Sequence, residues 1–251
     1  MMKEQPQIAP VLQLVDLKKS FGDNHVLKGF NLSLFHGENL VVMGKSGSGK
    51  SVMIKCLVGL LEADSGTIRI KEQDITSLGQ QELDVLRTQI GFLFQGSALY
   101  DSMTVRENLE FPLRHHKKKL GITLPDEELV REALENVGLS EAIDLMPAEL
   151  SGGMKRRVAL ARALILKPSI ILYDEPTTGL DPITAKEIIE LMRTTQLKYG
   201  TSSLIITHDV DCARVISDRI ILLIDGQNYI EGTYDQLSNS SDPQVRAFFK
   251  N

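Results

Sequence analysis

The fold of this chain is decided by residues 40–61, which read LVVMGKSGSGKSVMIKCLVGLL. The first part, Leu40–Met43, is a short, fully apolar run, which predicts a strand buried on both faces of a sheet. The next part, Gly44–Ser51, fits the pattern G-x-x-x-x-G-K-[ST], and helical apolar spacing follows it. Backbone N–H groups of such a loop and the N-terminus of the following helix can surround a phosphate. The stretch therefore predicts a phosphate-binding α/β domain rather than a chance glycine-rich turn.

The side chains of this loop have separate predicted roles. We expect Lys50 to reach the β- and γ-phosphates of a nucleotide and the Ser51 hydroxyl to ligate Mg²⁺. The loop therefore predicts a nucleotide with β- and γ-phosphates as ligand, together with Mg²⁺. The predicted nucleotide-binding residues of this segment are Gly44, Lys45, Ser46, Gly47, Ser48, Gly49, Lys50, Ser51 and the adjoining Val52.

Length and composition restrict the class of protein. The chain has 251 residues, of which 42% are hydrophobic and 24% charged, so we expect one α/β domain with an inserted or appended subdomain. A net charge of −5 argues against a dedicated duplex-DNA binder, and no nucleic-acid partner is expected. Apolar stretches such as Ile220–Ile224 are too short to span a bilayer. Two cysteines, Cys56 and Cys212, suit a reducing cytoplasm.

Further apolar runs resemble Leu40–Met43 and predict a parallel sheet with helices between its strands. They are Ile90–Phe94, Ile170–Tyr173, Leu204–Ile206 and Ile220–Ile224. The second of these, Ile170–Tyr173, leads directly into Asp174 and Glu175, and ligands bind at the carboxyl ends of parallel strands. Asp174 suits the Mg²⁺ shell, and Glu175 suits a general base for an attacking water. Alone, a solvent-facing acidic pair would be the better interpretation, but the phosphate loop upstream favours function.

A second glycine motif specifies the family. Leu150-Ser151-Gly152-Gly153-Met154 precedes a helical run, Lys155–Leu166. With the phosphate loop and the acidic pair, it resembles the ATP-binding subunit of an ABC transporter over about residues 11–232. The resemblance implies a P-loop NTPase (RecA-like) α/β core in a single domain, about residues 11–240. It also implies an N-terminal antiparallel β subdomain (about 11–36 and 66–72), an inserted α-helical subdomain (about 97–165) and a short tail (241–251).

The resemblance also implies roles at single positions. Phe21 takes the place of an aromatic ring that stacks on adenine. Gln95 and His208 join Glu175 as catalytic residues, and Gln95 also joins Ser51 and Asp174 around Mg²⁺. Without the family, Phe21 would be a core phenylalanine and His208 a structural histidine.

The signature residues Ser151, Gly152 and Gly153, with Asp181, are implied to contact a nucleotide held by a second copy of the chain. Ser151 heads a helix, which makes a second anion-binding N-terminus in one chain. The resemblance implies a head-to-tail homodimer that holds two ATP, with hydrolysis complete only when the halves close. Met154 replaces the commoner glutamine, which puts one ribose contact in doubt.

The cargo is indicated by residues 95–112, which read QGSALYDSMTVRENLEFP. This sequence is similar to the corresponding segment in the ATPases of Mla-type phospholipid transport systems. That implies integral membrane permease subunits, an MCE-domain lipid-binding protein and phospholipid transport between inner and outer membrane. The chain would be cytoplasmic, peripheral on the cytoplasmic face of the inner membrane. The alternatives are a subunit of an importer or exporter for another small solute, a soluble ABC protein of DNA repair or translation, and a phosphate-loop kinase.

Overall fold

The computed structural model describes residues 9–249, and the end of the predicted tail, residues 250–251, lies outside them. The described strands are β1 (Leu12–Phe21), β2 (Asn24–Leu34), β3 (Asn39–Met43), β4 (Ser65–Ile70), β5 (Gln73–Asp74), β6 (Ile90–Leu93), β7 (Ile170–Asp174), β8 (Ser202–Thr207), β9 (Arg219–Ile224) and β10 (Gln227–Gly232). The described α-helices are α1 (Lys50–Leu57), α2 (Gln80–Arg87), α3 (Val105–His116), α4 (Asp126–Asn136), α5 (Gly152–Leu164), α6 (Pro182–Tyr199), α7 (Val210–Ile216), α8 (Tyr234–Ser238) and α9 (Pro243–Phe249).

The larger sheet has the strand order β10-β9-β3-β8-β7-β6. Strands β9, β3, β8, β7 and β6 run parallel, and β10 pairs antiparallel with β9 as a hairpin. Each residue of β3 and β8 is buried, as expected of strands covered by helices on both faces. The carboxyl ends of the parallel strands meet at one edge, which brings the loops after β3, β6, β7 and β8 together. The predicted α/β fold class is confirmed.

The smaller sheet is antiparallel, with the order β2-β1-β4-β5. Its inner side chains, among them Leu14 and Phe30, share one apolar core with α1 and with β3. The β9–β10 turn is held against β2 by a hydrogen bond from the Lys28 N–H to the Gly226 carbonyl oxygen (2.9 Å). These contacts place the β1–β2 hairpin beside the phosphate loop.

Helices α3, α4 and α5 enclose a separate apolar core, to which Leu109, Leu134 and Val158 contribute. The other face of α5, through Ala159 and Leu160, packs in the core against the larger sheet. Helix α5 therefore belongs to both parts, and its first turn carries the second glycine motif.

The start of α3 is organised by one buried amide. Asn108 is fully buried, and its Nδ2 donates to the carbonyl oxygens of Tyr100, Met103 and Thr104 at 3.0–3.1 Å. This amide therefore shapes the segment that leads from β6 into α3.

Within residues 9–249, no helix combines the length and apolar character that a membrane span requires.

Candidate active site

The phosphate loop connects β3 to α1 in the predicted frame. Gly47 and Gly49 have φ angles of 80° and 105°, which side chains other than glycine rarely adopt. A Cβ on Gly49 would also lie 3.1 Å from the Val26 carbonyl oxygen, so the loop packs tightly against the β1–β2 hairpin. The loop therefore needs glycine for both conformation and space.

Lys50 points back into the loop. Its Nζ donates to the carbonyl oxygens of Gly44 (2.6 Å) and Lys45 (3.1 Å), and it lies 3.9 Å from Glu175 Oε1. Burial lowers the pKa of Lys50, and the negative charges of Glu175 and Asp174 oppose that shift. A cation held at the centre of such a loop is well placed to meet an anionic ligand.

The acidic pair lies at the end of β7. Burial, reinforced by the neighbouring Glu175 carboxylate, raises the pKa of Asp174. Glu175 has a φ of 50°, in the left-handed region, and its N–H donates to the Ile206 carbonyl oxygen at 2.8 Å. Backbone strain at a non-glycine residue is maintained only where surrounding contacts enforce it, and such residues cluster at functional sites.

The Glu175 carboxylate is held on one side by two partners. Its Oε2 lies 2.8 Å from His208 Nδ1 and accepts a hydrogen bond from Thr178 Oγ1 at 3.1 Å. His208 is 62% exposed and Glu175 only 11% exposed in their side chains, so the histidine forms the solvent side of the pair. The structure thus brings Lys50, Glu175 and His208 into one cluster.

The residues predicted to surround Mg²⁺ are compatible with that ion. Strands β6 and β7 are neighbours, with Leu93 opposite Tyr173, so Gln95 and Asp174 follow at the same edge of the sheet. The Ser51 side chain, in the first turn of α1, is exposed. A hydroxyl, a carboxylate and an amide oxygen are the hard ligands that Mg²⁺ takes together with water and phosphate oxygens.

Phe21 is not a core phenylalanine. It ends β1 and is 51% exposed, with Lys19 Nζ 5.6 Å from the ring centroid. An exposed ring on the hairpin beside the phosphate loop is available for stacking.

The signature residues form a second group. Ser151 caps α5 and accepts a hydrogen bond from the Met154 N–H at 3.2 Å. Asp181 caps α6, where its carboxylate accepts from the N–H groups of Ile183 and Thr184 and from the Thr184 hydroxyl. These bonds, the Thr184 hydroxyl first, lower the pKa of Asp181.

The two groups are separate within one chain. Among residues 9–249, no hydrogen bond or ion pair joins Ser151 or Asp181 to the phosphate loop. The trans role of these residues stays a prediction.

Sequence reasoning missed several contacts of this site. Thr178 donates to the Glu175 carboxylate, and Thr177 Oγ1 donates to Asp209 Oδ2 at 2.9 Å. Arg156 reaches the carbonyl oxygen of Phe94 from α5. The only sequence signal for Arg156 was a cation in a helix rich in apolar residues, and the threonines gave none.

The family model described as "ABC transporter" matches residues 27–178. The chain is 42% identical, over 92% of its length, to the methionine import ATP-binding protein MetN of Rhizobium etli, of which it spans 64%. It is 40% identical, over 94% of its length, to the "Probable ribonucleotide transport ATP-binding protein mkl" of Mycobacterium leprae, of which it spans 68%. The chain thus spans somewhat less than two thirds of the MetN relative.

Two solved structures are also similar to this chain. One is the ATP-binding cassette MJ0796 in a dimeric post-hydrolysis state with ADP and Pi, with a TM-score of 0.80 and 34% identity over 89% of this chain and 98% of that one. Another is cbiO1 of Clostridium perfringens, part of the ABC transporter complex cbiONQ. Its TM-score is 0.81 and its identity 27%, over 97% of this chain and 100% of that one.

Proposed function

The chain belongs to the ABC transporter family, and from this premise we propose that it binds ATP with Mg²⁺ and hydrolyses ATP to drive a membrane permease. The single observation that carries the proposal is the cluster of Lys50, Glu175 and His208 at the phosphate loop. Glu175 Oε1 lies 3.9 Å from Lys50 Nζ, and its Oε2 lies 2.8 Å from His208 Nδ1. A general base, a cation that binds phosphate and a histidine that can donate a hydrogen bond to phosphate are thereby within reach of one γ-phosphate.

Each side chain has a definite part in this reaction. Lys50 exchanges its carbonyl partners for the β- and γ-phosphates, and His208 donates to the γ-phosphate. Glu175 accepts a hydrogen bond and then a proton from the attacking water. Ser51, Asp174 and Gln95 would hold Mg²⁺, which neutralises phosphate charge when bound. Phe21 stacks on adenine without reading its edge, so base selectivity is weak.

The working unit in this proposal is a homodimer. Each chain has two phosphate-binding helix starts, one at Lys50 and one at Ser151. In a head-to-tail pair, Ser151, Gly152 and Gly153 of one protomer, with Asp181, meet the nucleotide on the phosphate loop of the other. The dimeric state named for a similar cassette supports this arrangement.

Replacing Glu175 tests the base. Glutamine keeps the size of the side chain but cannot take up a proton. We expect Glu175→Gln to bind ATP, to lower kcat by about 10²–10⁴-fold and to accumulate dimer in sizing columns. The control is Glu190→Gln, an exposed glutamate of α6. Hydrolysis by Glu175→Gln at the parental rate would refute the assignment.

A groove between the larger sheet and α3 is the proposed docking site of the permease. It has a volume of about 540 Å³ and is lined by aromatic side chains, including Phe94, Tyr100 and Phe111. Phe94 and Tyr100 are 38% and 43% exposed. The segment that carries Gln95 forms one wall of this groove, so a docked permease would bear directly on the hydrolysis site. The chain would then lie on the cytoplasmic face of the membrane.

For the cargo we favour phospholipid moving between inner and outer membrane, with an MCE-domain protein as a further partner. The similarity of the sequence of residues 95–112 to Mla-type ATPases supports this choice. A second candidate is a small solute such as methionine, which the 42% identity to a MetN protein favours.

Purification from membranes separates the two. The tagged full chain is extracted in mild detergent, and its co-purifying proteins and lipids are identified by mass spectrometry. A permease together with an MCE-domain protein and bound phospholipid is the expected result. A permease with a periplasmic methionine-binding protein would instead refute the lipid cargo and leave the ATPase proposal intact.

A further inference from the structure

Arg156 is a buried cation outside the predicted site. It lies on α5, four residues after Gly152, and is only 4% exposed. Among residues 9–249 it forms no ion pair with a carboxylate, and its Nε has no hydrogen-bond partner. Burial lowers the pKa of the Arg156 guanidinium, while the nearby Asp174 carboxylate opposes the shift. Burial of a charge without a paired carboxylate has a desolvation cost, which the hydrogen bonds of the Arg156 guanidinium must offset.

The guanidinium bridges two loops of the active site. Its Nη1 donates to the Phe94 carbonyl oxygen at 2.7 Å, and its Nη2 donates to the Thr178 carbonyl oxygen at 3.3 Å. Phe94 directly precedes Gln95. Thr178 holds the Glu175 carboxylate through its own hydroxyl. One side chain therefore connects the backbone next to Gln95 with the residue that orients Glu175.

The same side chain is anchored to the signature motif. Ser151 caps α5, and Arg156 follows in the second turn of that helix. A displacement of the start of α5 would therefore be carried to both loops through the two hydrogen bonds of the Arg156 guanidinium. Ser151 faces the partner's nucleotide in the proposed dimer, whereas Gln95 and Glu175 act on the nucleotide of their own chain.

We propose that Arg156 is a positioning residue that couples the two ATP sites of the dimer, because it links the signature helix to the loops that carry Gln95 and Glu175. This inference rests on the proposed function. Nucleotide meeting Ser151 shifts the start of α5, and Arg156 moves the Phe94 and Thr178 carbonyls with it. Hydrolysis at one site thereby depends on occupancy of the other.

The role requires the planar fork of arginine. Lysine is a point charge and can follow one carbonyl oxygen but not hold both in a fixed relation. Methionine keeps the length and removes every donor. Arg156→Met also removes a buried charge, so we do not expect it to prevent folding.

The test compares full-length parent, Arg156→Met, Arg156→Lys and Lys155→Gln. Lys155 is the matched control, because it is the preceding cation on α5 and makes no side-chain hydrogen bond or ion pair within residues 9–249. Mg²⁺-ATP hydrolysis is measured against ATP concentration, together with equilibrium ATP binding and the melting temperature.

We expect Arg156→Met to lower kcat by about 10- to 100-fold, as small misplacements of reacting groups do. Its ATP affinity and melting temperature should match the parent, and its Hill coefficient should fall to that of independent sites. Arg156→Lys should recover part of kcat, and Lys155→Gln should behave as parent.

Other outcomes are decisive in different ways. Parental kcat and cooperativity in Arg156→Met would overturn the coupling role while leaving the ATPase proposal intact. The coupling role would also be overturned if Arg156→Met lost as much ATP affinity as kcat, or if Lys155→Gln showed the same defect as Arg156→Met. A parent chain that binds ATP but does not hydrolyse it would overturn the proposed function and this inference together.

Discussion

Gly153 is packed so closely that one added methyl group should be measurable. A Cβ at this position would lie 2.6 Å from Thr184 Cγ2, well inside van der Waals contact. Thr184 cannot rotate freely, because its Oγ1 donates to Asp181 Oδ2 at 2.6 Å and completes the cap of α6. Gly153→Ala must therefore push the start of α5 away from α6 or break this hydrogen bond.

The expected cost follows from these contacts. Overpacking of this kind costs about 1–3 kcal/mol. The better helix propensity of alanine offsets up to about 1 kcal/mol of this overpacking cost. A net loss of about 1–2 kcal/mol corresponds to a melting temperature lower by about 2–8 °C for a chain of this size. A Cβ on Gly152 would lie 3.8 Å from its nearest neighbour, Leu180 Cδ2, so Gly152→Ala is the control and should not destabilise the chain.

Thr184→Ser isolates the steric term. Serine keeps the hydroxyl that bonds to Asp181 and lacks the methyl that the new Cβ would strike. Thermal and urea unfolding of the two single variants and the double variant form a cycle, with an expected coupling of about 1 kcal/mol in favour of the double variant. The steric reasoning is refuted if Gly153→Ala has the same melting temperature as Gly152→Ala. It is also refuted if Thr184→Ser restores none of the stability that Gly153→Ala loses.

Two further predictions concern the phosphate loop and the acidic pair. Lys50→Ala should weaken equilibrium ATP binding about 10- to 100-fold, since a hydrogen bond from a charged donor contributes about 1.5–3 kcal/mol; the exposed Lys55→Ala should bind as parent, and equal losses in both would contradict the role of Lys50. Asp174→Asn should abolish Mg²⁺-dependent hydrolysis yet raise the melting temperature of the nucleotide-free chain at neutral pH. Burial and Glu175 raise the pKa of Asp174, so its ionised form opposes folding. The gain should shrink as pH falls through that raised pKa, and a melting series in which it grows instead would refute this.

Much of the fold could be predicted because its signals are local. The apolar runs at β3, β7, β8 and β9 mark buried strands, and their observed ends differ from the predicted ones by one or two residues. Strand β6 ends at Leu93 rather than Phe94, although the Phe94 ring still stacks on Phe92 at 3.9 Å between centroids. Periodicity registers burial, but it does not register where a backbone turns away from its partner strand.

The candidate site was predictable where residue type and spacing alone carry chemistry. The glycines and Lys50 of the phosphate loop, and the carboxylates after β7, need only their own segment to suggest phosphate and metal binding. Phe21, Gln95, His208 and the signature residues required a known family, since each is an ordinary residue in its local context.

The sequence by itself determined the class of fold and the phosphate loop, because a glycine pattern between a strand and a helix is a property of neighbouring residues. Only the tertiary structure decided which groups meet. His208 reaches Glu175 across 33 positions, and Arg156 reaches the Phe94 carbonyl across 62. The order of strands in the larger sheet and the double packing of α5 bring these groups together. Contacts between residues so far apart in sequence depend on how the chain crosses from one sheet edge to another, and no local sequence pattern encodes them.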